Sequence, residues 1–198
     1  MVERFAHSDG LGAICPPIVW SIVALKCLGY ADDSPEMRYN FDQLKALTIE
    51  QQYTARLQPC KSPVWDTALT LRALAVSEGM NDTGLAVEND AASGGLRPPL
   101  ASLAIDKAID WLLDKEVTRR GDWAEYASAP PAGWFFEYQN EFYPDVDDTA
   151  MVLIAMAEAG ARGQKSEVRS QRGVVGACER ARKWMLAMQN RDGGWGAF

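Results

Sequence analysis

Three segments of this chain are apolar on nearly every side: 17–28, 64–76 and 146–159. Between them lie segments with one polar and one apolar face, near 42–52, 100–115 and 174–188. A helix that is apolar all round is a buried helix, whereas a single apolar stripe marks a helix on the outside of a core. The alternation therefore predicts an all-α fold of inner and outer helices, an α/α toroid. Six such helices make about half of an α6–α6 barrel. Flexible linkers are predicted at 32–39, which contains Ser34-Pro35, at 79–99, rich in Asn, Asp, Gly and Pro, and at 160–173. The composition of 79–99 is that of a partly disordered segment.

Two stretches repeat each other. Lys107-Ala108, Trp111-Leu112, Glu116, Gly121 and Trp123 correspond to Arg180-Ala181, Trp184-Met185, Gln189, Gly193 and Trp195. The first copy carries Glu in place of Gln and one extra residue before its Gly. An internal repeat implies a repeated architecture. Each copy reads as an amphipathic helix ending in a Gly-rich turn, with the Gln or Glu bonding near the start of the next helix and the Trp covering it. These positions are read as structural ties, with no catalytic role.

Composition narrows the function. With 198 residues, 47% of them hydrophobic, and seven Trp, the chain can build a packed core. Its net charge is −7 and its Lys and Arg are scattered, which argues against a nucleic-acid surface. The cysteines, Cys15, Cys27, Cys60 and Cys178, lack the spacing of a zinc site, and His7 is the only histidine. They are expected to be buried reduced thiols of a cytoplasmic protein. No run of 18 apolar residues and no signal-peptide pattern is present.

The candidate chemistry lies in Asp145-Val146-Asp147-Asp148-Thr149-Ala150, three carboxylates at the mouth of an apolar stretch. Carboxylates this close cannot all ionise at neutral pH, so one of them retains a proton, and the middle residue, Asp147, is expected to hold it. A protonated acid beside an apolar cavity can protonate an alkene. The alternative is that Asp145, after Pro144, caps a helix whose first turn is acidic. A cap requires neither three carboxylates nor the aromatic run Gly133-Trp134-Phe135-Phe136-Glu137-Tyr138-Gln139-Asn140-Glu141-Phe142-Tyr143-Pro144 just before them.

That run and the acidic hexapeptide together resemble the signature of squalene–hopene cyclases, in which the middle aspartate is the Brønsted acid that protonates a terminal double bond of squalene. The resemblance continues in Asp9-Gly10-Leu11-Gly12-Ala13-Ile14-Cys15-Pro16-Pro17 and in Ser62-Pro63-Val64-Trp65-Asp66-Thr67, and the repeats are similar to the QW motif of triterpene cyclases. It implies Asp147 as proton donor, Asp145 and Asp148 as the carboxylates that hold and orient its proton, and Ile14, Trp65, Asp66 and Phe136 as substrate contacts. Aromatic faces such as those of Phe136 and Trp65 would stabilise migrating cationic charge. Asp148-Thr149 points to squalene rather than its epoxide.

The same resemblance makes this chain a middle fragment of the catalytic barrel region, catalytically silent alone. The parent would be cytoplasmic and sit on a membrane surface through a segment outside this chain. No cofactor or metal is implied: the Asp-Asp-x-x-Asp spacing of magnesium-dependent terpene synthases, started at Asp147, ends at Met151. A class II diterpene cyclase fragment and a non-catalytic α/α scaffold are the alternative readings. Half a toroid exposing its inner face is expected to pair with a second copy, with exchange of helices between copies as one route.

Overall fold

The computed structural model describes residues 2–9, 12–81, 100–160 and 168–197. Within them lie six α-helices: α1 (Cys15–Cys27), α2 (Pro35–Ala46), α3 (Pro63–Asn81), α4 (Leu100–Asp114), α5 (Val146–Gly160) and α6 (Val168–Ala187). A short antiparallel hairpin of β1 (Thr48–Gln51) and β2 (Thr54–Leu57) follows α2.

The helices form two layers. α3 packs along α5, α4 lies on α3, and α6 bridges α4 and α5, while α1 and α2 pair separately. The core stripe of α3, Val64, Ala68, Leu71 and Ala75, recurs every three or four residues and meets Val152, Ala155, Met156 and Ala159 of α5. Alanines on both faces let the two backbones approach closely. Outer helices contribute Ile105 and Leu112 from α4 and Ala177 and Ala181 from α6. Each fully buried Leu, Ile or Met here contributes about 2 kcal/mol.

The helices predicted to be inner do carry apolar residues on every side, but only one side is covered by described residues. Leu69 and Val76 of α3 and Ile154 of α5 are exposed, and Trp20 of α1 is 69% exposed beside Val19 and Val23.

Several predicted boundaries change. The segment 42–52 is not one helix: α2 ends at Ala46 and a hairpin begins at Thr48. Predicted linker 32–39 contains the start of α2, because Ser34 is its N-cap, accepting from Met37 N at 3.3 Å, and Pro35 occupies the first turn. α3 runs to Asn81, into the predicted linker 79–99, whose residues 82–99 lie outside the described residues. α6 starts at Val168, inside predicted linker 160–173, of which 161–167 lie outside them. The four cysteines are free thiols, but none is fully buried and Cys27 is exposed.

The repeats tie the layers together, though not at a helix start. Glu116 receives two hydrogen bonds from Arg180, at 2.8 and 2.6 Å, well inside α6. Trp123 stands edge-to-face on Trp184 of the second copy, with ring centroids 6.0 Å apart. Gln189 instead closes its own turn by donating to Gly193 O at 2.8 Å.

Candidate active site

Three loops run into the N-terminal ends of α1, α3 and α5, and backbone pairing joins them. Ile14, the residue before α1, bridges Cys60, and Cys15 N donates to Pro59 O at 2.9 Å. Ser8 bridges Asn140, and Asp9 N donates to Gln139 O at 3.1 Å. Trp134 bridges Asp145, whose N–H donates to Trp134 O at 2.9 Å.

The turn carrying the acids is fixed from two sides. Thr149 Oγ1 accepts from Trp134 N at 2.9 Å and its hydroxyl faces Trp134 O at 3.3 Å, while Trp134 Nε1 donates to Leu112 O at 2.6 Å. Gly133 must be glycine here. Its φ is +90°, and a Cβ would lie 2.7 Å from Thr149 Oγ1.

Asp145 is the N-cap of α5, its Oδ1 accepting from Asp148 N at 2.8 Å. The cap reading is therefore correct for Asp145, and incomplete. Carboxyl oxygens of Asp145, Asp147 and Asp148 lie within 4.8 Å of one another. Residues three apart share a helix face, so Asp145 and Asp148 both turn inward, at 5% and 2% exposure, and Asp147 faces out. Burial first, then the charge of Asp148, pushes Asp145 up to about 9. Asp148 is pushed up to about 6, also by burial, and is eased by its hydrogen bond with Asp145. The two share one proton at neutral pH, held by Asp145. This corrects the expectation that the middle residue holds the retained proton: the buried pair holds it, within reach of exposed Asp147. The trio could hold a cation only after surrendering that proton.

Glu137 was missed in the sequence. It is 2% exposed, and burial pushes it up to about 7, with Asp9 and Asp148 adding their negative charge. Asn140 Nδ2 donates to its Oε1 at 2.9 Å, and Asn140 Oδ1 accepts from Phe142 N and Tyr143 N, which shapes the approach to Pro144. An acid between Phe136 and Tyr138 was the available signal.

The expected contact residues scatter around this centre. Ile14 is half-buried at the α1 entry, and Trp65 is half-buried in the first turn of α3, which the Ile14–Cys60 bridge brings beside it. Asp66 is exposed and accepts from Ser62 Oγ at 3.0 Å, across the first turn of α3. Phe136 is half-buried between buried Phe135 and Glu137. Among the described residues neither Phe136 nor Trp65 stacks on another ring. His7 stands 3.5 Å from Glu141. An apolar cavity of about 900 Å³ opens between α4, α5 and α6, but its α5 lining runs from Leu153 to Gly160, away from the acidic turn.

Similarity to known proteins covers nearly the whole chain. Residues 61–198 match the squalene-hopene cyclase C-terminal domain and residues 1–53 the squalene-hopene cyclase N-terminal domain. The chain is similar to the squalene-hopene cyclase of Schizosaccharomyces japonicus, 38% identical over 98% of this chain and 27% of that protein. It is likewise similar to the squalene-hopene cyclase of Bradyrhizobium diazoefficiens, 36% identical over 99% of this chain and 26% of the relative. A dammaradiene synthase of Dryopteris crassirhizoma is 32% identical over 100% of this chain and 25% of its own length. The chain thus spans about a quarter of the length of the curated relatives it matches. Because the C-terminal domain match alone takes in more than half of its residues, the chain belongs to the squalene–hopene cyclase family.

Proposed function

We propose that this chain carries the acid centre of a cyclase that protonates a terminal alkene of squalene and turns it into a polycyclic isomer. The observation that carries the reading is the buried Asp145–Asp148 pair, which stores a proton against the exposed carboxyl of Asp147. The pair passes its stored proton to Asp147, which delivers it to the alkene carbon: an O–H bond breaks, a C–H bond forms, and the cation is left on the neighbouring carbon. Phe136 and Trp65 offer π faces to the cation as ring closure moves it along the chain, and Ile14 and Asp66 line the entry to the same space. Aromatic faces stabilise charge without supplying a lone pair that would capture it.

The activity resides in the full-length protein that carries this segment, working at a membrane surface where squalene dissolves, and the 198 residues alone are inactive. Among the described residues no helix is long and apolar enough to cross a membrane. The test is cyclisation of squalene by the full-length protein in D2O. Mass spectrometry should find a polycyclic product carrying deuterium at the initiating end, and Asp147→Asn should abolish it with the helical content intact. Near-normal product from that variant would remove Asp147 from the reaction.

A further inference from the structure

We propose that the turn of the first repeat, Gly121-Asp122-Trp123, is a positioning element of the acid centre: it grips Phe142 and Tyr143, just before Pro144-Asp145, and seats Val146 between the acids. This rests on the acid-centre reading above.

Three consecutive residues of the turn meet two consecutive residues of the acid segment. Trp123 Nε1 donates to Phe142 O at 3.1 Å, and the Tyr143 hydroxyl donates to Asp122 Oδ2 at 2.6 Å. The backbones also touch: a Cβ on Gly121 would collide with Phe142 O, so only glycine allows the approach. Beyond this grip the chain has little freedom. Proline fixes its own φ and restricts the residue before it, so Tyr143-Pro144 is a stiff unit and holding Tyr143 dictates where Asp145 begins α5.

The repeats also reach the acids from the side. Val146, between Asp145 and Asp147, packs against the cluster that contains Trp123 and Trp184. Its N–H donates to Ala197 O at 2.9 Å, just after the second repeat. Trp184 in turn backs Gly133, where a Cβ would meet Trp184 Cε3 at 3.3 Å. Successive helical residues are turned by about 100°, so a seated Val146 fixes the rotation of the first turn. In that rotation Asp145 and Asp148 are buried, Asp145 Oδ1 reaches Asp148 N, and Asp147 is exposed.

A tie between layers would need none of this. Glu116 with Arg180, and Trp123 with Trp184, already join the first repeat to α6. The bonds to Phe142 and Tyr143 join no further helix. They hold a loop whose next residues are the acids. Misplacing a reacting group by about 1 Å can cost about a hundredfold in rate, so such a grip is felt in kcat.

The experiment uses the full-length protein with squalene and compares wild type with four variants. Tyr143→Phe and Asp122→Ala each remove the same hydrogen bond, Trp123→Phe removes the indole donor but keeps a ring against Trp184, and Glu116→Gln weakens the layer tie away from the acid segment. Tyr143→Phe and Asp122→Ala should each lower kcat about fivefold with KM within about twofold, and the double variant should lose no more than either alone. Trp123→Phe should lower kcat at least about tenfold and weaken the isotope-edited infrared band of a protonated aspartate at pH 8. Glu116→Gln should keep kcat within about twofold and the band whole, even as its melting temperature falls. An unchanged kcat in Tyr143→Phe and Trp123→Phe overturns the proposal. So does an undiminished band in Trp123→Phe, a loss of kcat in Glu116→Gln equal to that in Trp123→Phe, or fully additive losses in the double variant. If wild-type protein converts no squalene, the acid-centre reading falls, and the band in the variants still decides the positioning.

Discussion

Raising the pH from 6 to 8 should remove about 4 kcal/mol of stability from the 198-residue chain, and three carboxyl groups account for the loss. In the folded state Asp145, Asp148 and Glu137 are held near about 9, 6 and 7, above their ordinary values of 3.8, 3.8 and 4.5. A carboxyl whose folded value is raised binds its proton in the fold after the unfolded chain has released it. Its stabilisation is complete below the unfolded value and disappears as pH climbs through the folded one. Each proton retained in this way gives a slope of about 1.4 kcal/mol per pH unit. Asp145 and Asp148 share one proton and so count once, for about 3 kcal/mol between pH 6 and 8, and Glu137 adds about 1 kcal/mol before it is fully ionised. Urea unfolding followed by far-UV circular dichroism at pH 6, 7 and 8 measures this directly. Asp145→Asn keeps an oxygen to cap Asp148 N and an amide to face Asp148, but it cannot titrate. Its loss over the same range should shrink to about 1 kcal/mol. A stability that is flat or rising from pH 6 to 8 would refute the reasoning, and so would an Asp145→Asn profile parallel to wild type.

Three further outcomes follow from the same geometry. Gly133→Ala should destabilise the chain by about 3 kcal/mol, from a φ of +90° and a Cβ 2.7 Å from Thr149 Oγ1; a change below about 1 kcal/mol in urea would show that the turn relaxes. In the full-length protein Phe136→Ala should redirect the product spectrum toward incompletely cyclised products, and an unchanged spectrum with lowered thermal stability would return Phe136 to the core. The isolated chain should self-associate at micromolar concentration through α1, where Trp20, Val19 and Val23 are exposed, and Trp20→Glu should shift sedimentation toward monomer.

The parts of the fold legible in the sequence are those set by local signals. Asp145 after Pro144 marks the start of α5, and the all-round apolar run 64–76 and the repeat ending at Trp123 predict elements that form much where expected. Other parts depend on context that a linear reading lacks. Ser34-Pro35 reads equally as a turn and as a cap with proline in the first turn, and only the bond from Met37 N distinguishes them. The Thr48–Leu57 hairpin has no Gly or Asn at its turn, so an amphipathic helix was the stronger local pattern. The acidic trio was legible as a proton store, but not which members store it. That choice is made by tertiary burial: Trp134 pairs with the backbone of Asp145, Asp145 and Asp148 are closed off from solvent, and Asp147 is exposed. For Glu137 the local hint, an acid between Phe136 and Tyr138, does not tell a buried glutamate from a solvated one; its burial depends on residues distant in sequence, such as Asp9, which pairs with Gln139.

The central claim is that a proton is stored on the Asp145–Asp148 pair beside Asp147. Isotope-edited infrared spectroscopy of the carboxyl C=O stretch, with aspartate side chains labelled, reads that proton directly. At pH 8, where Glu137 is ionised in its greater part, wild type should still show a protonated aspartate band. The band should persist in Asp147→Asn and vanish in Asp145→Asn. Absence of the band at pH 8 in wild type, or its loss in Asp147→Asn but not in Asp145→Asn, would contradict the account.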